Sequence, residues 1–161
     1  MSDAAGPMDA TNLFSPPGAG RTQAVLGVSQ LYKAEASQTG GQLVCTEITV
    51  PPGQGVPPHR HSNEDEAFYV LAGHVVIEGD GCGGGVGLDA GGFFYGPRGQ
   101  VHGFRCDGAA PARLLVFITP GTGIGAMFAE LAALTREQAG GIDPGRVGAV
   151  GGRYGITFAA A

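Results

Sequence analysis

The sequence predicts an all-β fold, a sandwich or jelly-roll barrel of roughly seven or more short strands with one or two C-terminal helices packed outside it. Three observations predict it. Apolar and β-branched residues alternate with polar ones over short stretches through most of the chain. Gly and Pro, 31 and 11 of the 161 residues, punctuate those stretches. Beyond Pro120-Gly121 the apolar period lengthens to the roughly 3.6 of a helix. A hydrophobic content of 43% keeps the Gly and Pro from reading as disorder.

In chain order, residues 1–22 open with a stretch rich in Gly, Pro, Ser, Ala and Asp. They are expected to form a flexible segment or a strand lent to a partner. Gln23–Leu31 and Tyr32–Ala36 read as strands before the Gly40-Gly41 turn. Gln42–Val50 (QLVCTEITV) is a clear strand, and its more apolar face, Val44/Thr46/Ile48/Val50, is expected to meet the core. A strand bearing His59 and His61 follows. Glu66 then opens the run EAFYVLA, with His74–Glu78 as its return strand in a hairpin turning near Gly73.

Gly79–Gly87 (GDGCGGGVG) reads as a glycine-rich loop. It lacks the Lys-Ser/Thr of a phosphate-binding loop and leads into no helix. Phe93–Tyr95, Val101–Cys106 and Arg113–Thr119 are the remaining strands, so residues 23–121 form the barrel. In Gly123–Gln138, Ile124, Met127, Phe128, Leu131 and Leu134 share one helical face, with Gly140-Gly141 as the stop. Asp143 before Pro144 is a cap and first-turn pair for a short second helix, so residues 122–161 form a helical extension.

The length suits one domain with a real core. A net charge of −5 and scattered basic residues exclude a nucleic-acid partner, which requires a basic face. No apolar run reaches the roughly 18–20 residues of a membrane span, and the N-terminus has neither the basic nor the apolar region of a signal peptide. Cys45, Cys82 and Cys106 form no CxxC pair and suit a reducing compartment. A cytoplasmic location is expected.

The chemistry concentrates in Gly53–Gly73, GQGVPPHRHSNEDEAFYVLAG. On a strand, residues two apart point the same way, so His59 and His61 aim two imidazoles at one place. Pro57 and Pro58 favour the extended backbone this needs. A turn at Ser62-Asn63 can bring Glu66 to the same point, and two imidazoles with a carboxylate suit a first-row divalent metal. His102, in a second extended run after Pro97-Arg98-Gly99, offers a third imidazole. His74 follows the turn glycine and reads as an exposed histidine outside the ligand set.

The spacing of these residues resembles the two motifs of the cupin superfamily. Gly53, His59, His61, Glu66 and Gly73 match the first motif; Gly91, Pro97, Gly99 and His102 match the second. At its last position the family usually has Asn and this chain has Cys106. The resemblance implies a jelly-roll barrel with a buried metal held by His59, His61, Glu66 and His102. Glu64 is the fallback for Glu66, which keeps the register to Gly73. Phe68 and Val70 share the Glu66 face and Phe104 the His102 face, giving an apolar wall suited to a flat ligand. Cys106, on the His102 face, borders that pocket as a small apolar residue or a soft metal contact.

Four protein ligands leave a coordination position open on Mn, Fe, Co, Ni or Zn, among which sequence does not choose. QTGGQL, ITVPPG, PPHRHSNEDEAFYVLAG, PRGQVHGFR and ARLLVFITP are similar to small bacterial proteins related to quercetin 2,3-dioxygenase. That resemblance implies a metal-dependent dioxygenase acting with O2 on a flavonol or related aromatic or enolic molecule, with Glu66 as the base. The same stretches resemble tailoring proteins of aromatic polyketide pathways. These imply the alternative of non-redox isomerase, cyclase or decarboxylase chemistry on a carbonyl compound. A ligand-binding cupin without catalysis is the third reading. The family also implies a homodimer formed through sheet edges or swapped N-terminal segments.

Overall fold

Val44, Thr46, Ile48 and Val50 are all buried on a single strand whose Glu47 and Thr49 face outward. This alternation recurs in strand after strand and closes two sheets around an apolar centre. The computed structural model describes residues 11–138 and 141–159. Strands β1 (Thr22–Val25), β2 (Val28–Ala34) and β3 (Val44–Val50) come first, with one helical turn, α1 (Ala36–Thr39), before β3. Then follow β4 (Gly55–His61), β5 (Asp65–Ala72), β6 (His74–Gly79), β7 (Val86–Asp89), β8 (Phe93–Gly96), β9 (His102–Cys106) and β10 (Ala112–Thr119). Helices α2 (Ile124–Glu137) and α3 (Pro144–Arg153) precede a last strand, β11 (Ile156–Phe158).

One sheet has the order β1-β2-β3-β10-β5-β8 and the other β11-β4-β9-β6-β7, with every pairing antiparallel. From β3 to β6 the chain changes sheet at each step, and β8, β9 and β10 do the same. This is the jelly-roll expected from the sequence, and the core lies between the layers. Phe68, Val70, Val75, Ile77, Phe104 and Leu114 are nearly or wholly inaccessible to solvent within it.

The alternation between sheets corrects the expected hairpin at Gly73. β6 does not pair with β5; it lies in the other sheet between β9 and β7. Gly73 has φ 81°, and a Cβ there would sit 2.8 Å from the Ala112 Cα. It is a one-residue corner between layers that any side chain would block. The single strand expected over Gln23–Leu31 is likewise two, because Leu26 (φ 51°) and Gly27 (φ 84°) form a tight turn between β1 and β2. Ala36, expected in a strand, begins α1, which carries a reciprocal cap between Glu35 and Gln38. The glycine-rich stretch is a loop up to Gly85, and β7 begins at Val86.

The helical period places α2 one residue inside its expected limits at each end. Gly140, part of the expected stop, lies outside the described residues, as do residues 1–10 of the expected N-terminal segment and residues 160 and 161 of the C-terminal extension. Asp143 caps α3 by accepting from the Gly145 N–H at 2.9 Å, with Pro144 in the first turn. β11 was not foreseen: it follows Gly155 and adds an edge strand to β4. Both helices lie outside the sheets, yet Ile124, Met127, Leu131 and Val147 are buried and join the core cluster. No helix among the described residues is long and apolar enough to cross a membrane.

Candidate metal centre

His59 and His61 point inward from β4, as their two-residue spacing requires, and both are buried. Pro57 and Pro58 lie where the β4–β9 register shifts, so their missing N–H groups leave no gap in the ladder. The bend after His61 carries the chain into the opposite sheet, where Glu66 points back at the two imidazoles from β5. His102 opens β9 and pairs with His59. The inward-facing donor atoms of His59, His61, Glu66 and His102 all lie within 4.8 Å of one another, close enough to hold one metal ion. Glu66 Oε2 is 2.9 Å from His102 Nε2, 3.3 Å from His61 Nε2 and 3.7 Å from His59 Nε2.

Hydrogen bonds behind the rings fix which nitrogen faces the centre. His59 Nδ1 donates to the Pro57 carbonyl at 3.0 Å, and His102 Nδ1 to the Gln100 carbonyl at 3.3 Å. His61 Nδ1 donates to the buried Glu64 carboxylate at 3.1 Å. Each partner only accepts, so each Nδ1 carries hydrogen and each Nε2 presents its lone pair inward. Three lone pairs and a carboxylate converging in a buried place require a positive charge among them. Burial lowers the proton affinity of His61, but Glu64 and Glu66 outweigh it and raise its pKa to about 9. His61 Nε2 lies 3.0 Å from His59 Nε2 and 3.3 Å from Glu66 Oε2. Burial would raise the Glu66 carboxyl, yet the imidazoles of His102, His59 and His61 that face it hold it well below the usual range. This donor set fits a divalent transition metal, which would supply the central positive charge.

The acidic run thus divides three ways. Glu66 faces the centre, Glu64 holds His61 from behind, and Asp65 turns outward to Arg98. Arg98 donates to Asp65 through its backbone N–H at 2.8 Å and through its guanidinium at 3.0 and 3.1 Å. The guanidinium is the main reason the Asp65 carboxyl falls to about 2. Beside it the Gly99 N–H donates to the His61 carbonyl at 2.8 Å. The Pro-Arg-Gly turn is therefore clamped to both ends of the β4–β5 bend, which sets where His102 enters. Gly96 makes room for that ring, because a Cβ there would lie 2.8 Å from His102 Nδ1. Sequence reasoning missed the positioning roles of Glu64, Arg98 and Gly96. The three-residue spacing from His61 to Glu64 was the one available signal.

A cavity of about 510 Å³ opens from the centre, with His59, His61 and Glu66 in its wall. Phe68 and Phe104 line it, as expected. Val70 and Cys106 do not, which corrects the expected pocket. Val70 is sealed into the core, and the Cys106 thiol donates to the Ala110 carbonyl at 3.3 Å, roughly 13 Å along β9 from His102. In their place, Met127, Phe128 and Leu131 of α2 and Val147 of α3 complete the wall. Phe158 of β11 joins them, its ring 5.8 Å from that of His59. His74 pairs instead with Asp89 at 2.8 Å, away from the centre.

A family model of the Cupin domain matches residues 46–118, which contain all four residues of the centre. The chain is 31% identical over 90 residues to quercetin 2,3-dioxygenase of Bacillus subtilis (strain 168), a match covering 55% of this chain and 26% of that protein. The chain therefore spans about a quarter of that relative's length. Among solved structures, a RmlC-like cupin from Shewanella frigidimarina NCIMB 400 superposes with a TM-score of 0.60 at 20% identity, covering 71% of this chain and 96% of that one. The polyketide cyclase RemF from Streptomyces resistomycificus gives a TM-score of 0.53 at 25% identity, covering 62% of this chain and 70% of that one. With its jelly-roll topology and both motifs in place, the chain carries a cupin domain over residues 46–118.

Proposed function

We propose that this protein is a metal-dependent dioxygenase acting on a flat flavonol-like or other aromatic enol. The observation that carries this reading is the meeting of three imidazole Nε2 atoms and one buried carboxylate at the wall of an apolar cavity of about 510 Å³. Small-molecule sites commonly measure about 300–1,000 Å³ and pair apolar walls with a few convergent polar groups. A divalent metal held by His59, His61, Glu66 and His102 would supply a Lewis acid for a substrate oxygen and, if redox-active, a path for electrons to O2.

The protein's own part follows from the geometry. Glu66 is ionised and buried, so its carboxylate can accept the proton of an enolic or phenolic hydroxyl bound at the cavity wall. The Nδ1 hydrogen bonds of the three histidines hold their rings in place as that charge moves. Phe68, Phe104 and Phe128 exclude water and favour a planar ring system. O2 is the co-substrate and the oxidant. Both its atoms enter the product, and the deprotonated substrate supplies the electrons, so no other reductant is needed. The match to quercetin 2,3-dioxygenase supports the choice of chemistry.

Oxygen uptake tests it. Protein stripped of metal and reloaded separately with Mn, Fe, Co, Ni or Zn is mixed with flavonols in an oxygen electrode. Metal-dependent uptake that disappears in His59→Ala is the expected result. The likeness to the polyketide cyclase supports a second reading, non-redox cyclisation or isomerisation of a carbonyl compound by the same residues. Product formation without oxygen uptake would select it.

A further inference from the structure

Gln30 is a polar side chain in an apolar wall. It lies on β2, is 7% exposed and lines the cavity. Its Oε1 is the one buried side-chain oxygen or nitrogen among the described residues that has no hydrogen-bond partner. A buried amide oxygen left unpaired keeps its desolvation cost uncompensated, so an apolar residue of the same shape would serve the empty barrel better. Its neighbours on the sheet show what that residue would be: Gln30 pairs with Ile48, and Ile48 stands opposite Leu114 in the same inward-facing row.

We infer that the Gln30 amide is a specificity-determining group that hydrogen-bonds a hydroxyl at the far end of the bound ligand. The inference rests on the aromatic-substrate reading above and adds where a second polar group of that substrate must lie. Through Ile48 and Leu114, Gln30 is level with Val70, three strand steps or about 14 Å across the sheet, and Glu66 lies four residues, about 13 Å, further along β5. Gln30 and Glu66 line one cavity, so a planar molecule of three rings whose reacting oxygen is near Glu66 turns its last ring toward the Gln30 end. A phenolic hydroxyl both donates and accepts, so it satisfies the amide whichever way the amide is turned. Thr46, two residues from Ile48 on the same face of β3, lines the same cavity and gives that end a second hydroxyl. The remaining wall there is apolar, including Val28 and Val116, so a ligand without the distal hydroxyl would leave the amide unpaired.

The test uses metal-loaded protein and two ligands, 3-hydroxyflavone and 3,4′-dihydroxyflavone, with equilibrium binding followed by fluorescence under anaerobic conditions. Wild type is expected to bind the dihydroxy compound roughly 5- to 100-fold more tightly. Gln30→Met, of nearly equal volume, is expected to bind both alike. A preference of unchanged size in Gln30→Met overturns the role of Gln30 and leaves the substrate reading standing. Failure of wild type to bind either flavone overturns the substrate reading and this inference with it. A second readout needs no ligand. If the amide is unpaired in the empty protein, Gln30→Met melts at or above the wild-type temperature. A clear fall in melting temperature would show that the amide has a structural partner, and would overturn the inference.

Discussion

At the residue scale, the centre depends on atoms that never face the cavity. Glu64 supplies the acceptor that keeps His61 Nδ1 protonated and its Nε2 lone pair inward. Glu64→Gln can still accept at that position but loses the charge, and metal affinity should fall about 10- to 100-fold, measured by competition with a chelating dye. Gly96→Ala should do comparable damage by a different route, because the added methyl displaces the His102 ring; metal content after purification reports it. His59→Ala and His102→Ala remove ligand atoms outright and should leave little metal bound, whereas retention of full occupancy would remove that residue from the ligand set. The three thiols separate by depth. Cys45 and Cys106 are buried, and burial pushes the Cys45 thiol up, while Cys82 is half-exposed in a loop. A thiol reagent added to native protein should therefore modify about one cysteine quickly, with the other two reacting only on unfolding.

At the scale of elements, much of the site was legible because period 2 and the turn residues bind it to the backbone. Once His59 and His61 share a strand, their common face follows, and the step from Glu66 to Gly73 fixes which acid of the run turns inward. The partners were harder to read. Which strand lies beside which depends on contacts distant in sequence, so His74–Glu78 looked like the return of a hairpin although it belongs to the other layer. Val70 misled for a related reason: alternation places it on the inward face, but whether that face meets core or cavity depends on the opposite sheet and on the helices. β11 has three residues, too few for any period to register, yet it covers the edge of the metal-bearing strand β4. Phe158→Ala should destabilise the fold by roughly 1–3 kcal/mol in denaturant unfolding, and should loosen the cavity beside His59.

At the scale of the whole molecule, the exposed apolar residues are unevenly placed. Tyr69, Phe93 and Tyr95 are 41%, 59% and 54% exposed and lie on adjacent strands at one edge of the six-stranded sheet. We propose this edge as the contact of a homodimer. Sedimentation should give twice the chain mass, falling to the monomer value in Phe93→Asp. The ligand arrangement has a consequence of another kind. His59 and His102 come from one sheet and Glu66 from the other, so a bound ion is a clasp between layers that are otherwise joined by packing and by the connecting segments. Holding these distant points of the chain together favours only the folded state, so unfolding must release the ion. The melting temperature should therefore climb with the logarithm of free metal, by an amount equivalent to about 2.7 kcal/mol at a hundred times the dissociation constant. Cells short of the metal would then hold a protein that is more readily unfolded and digested, so metal supply would govern how much of it persists.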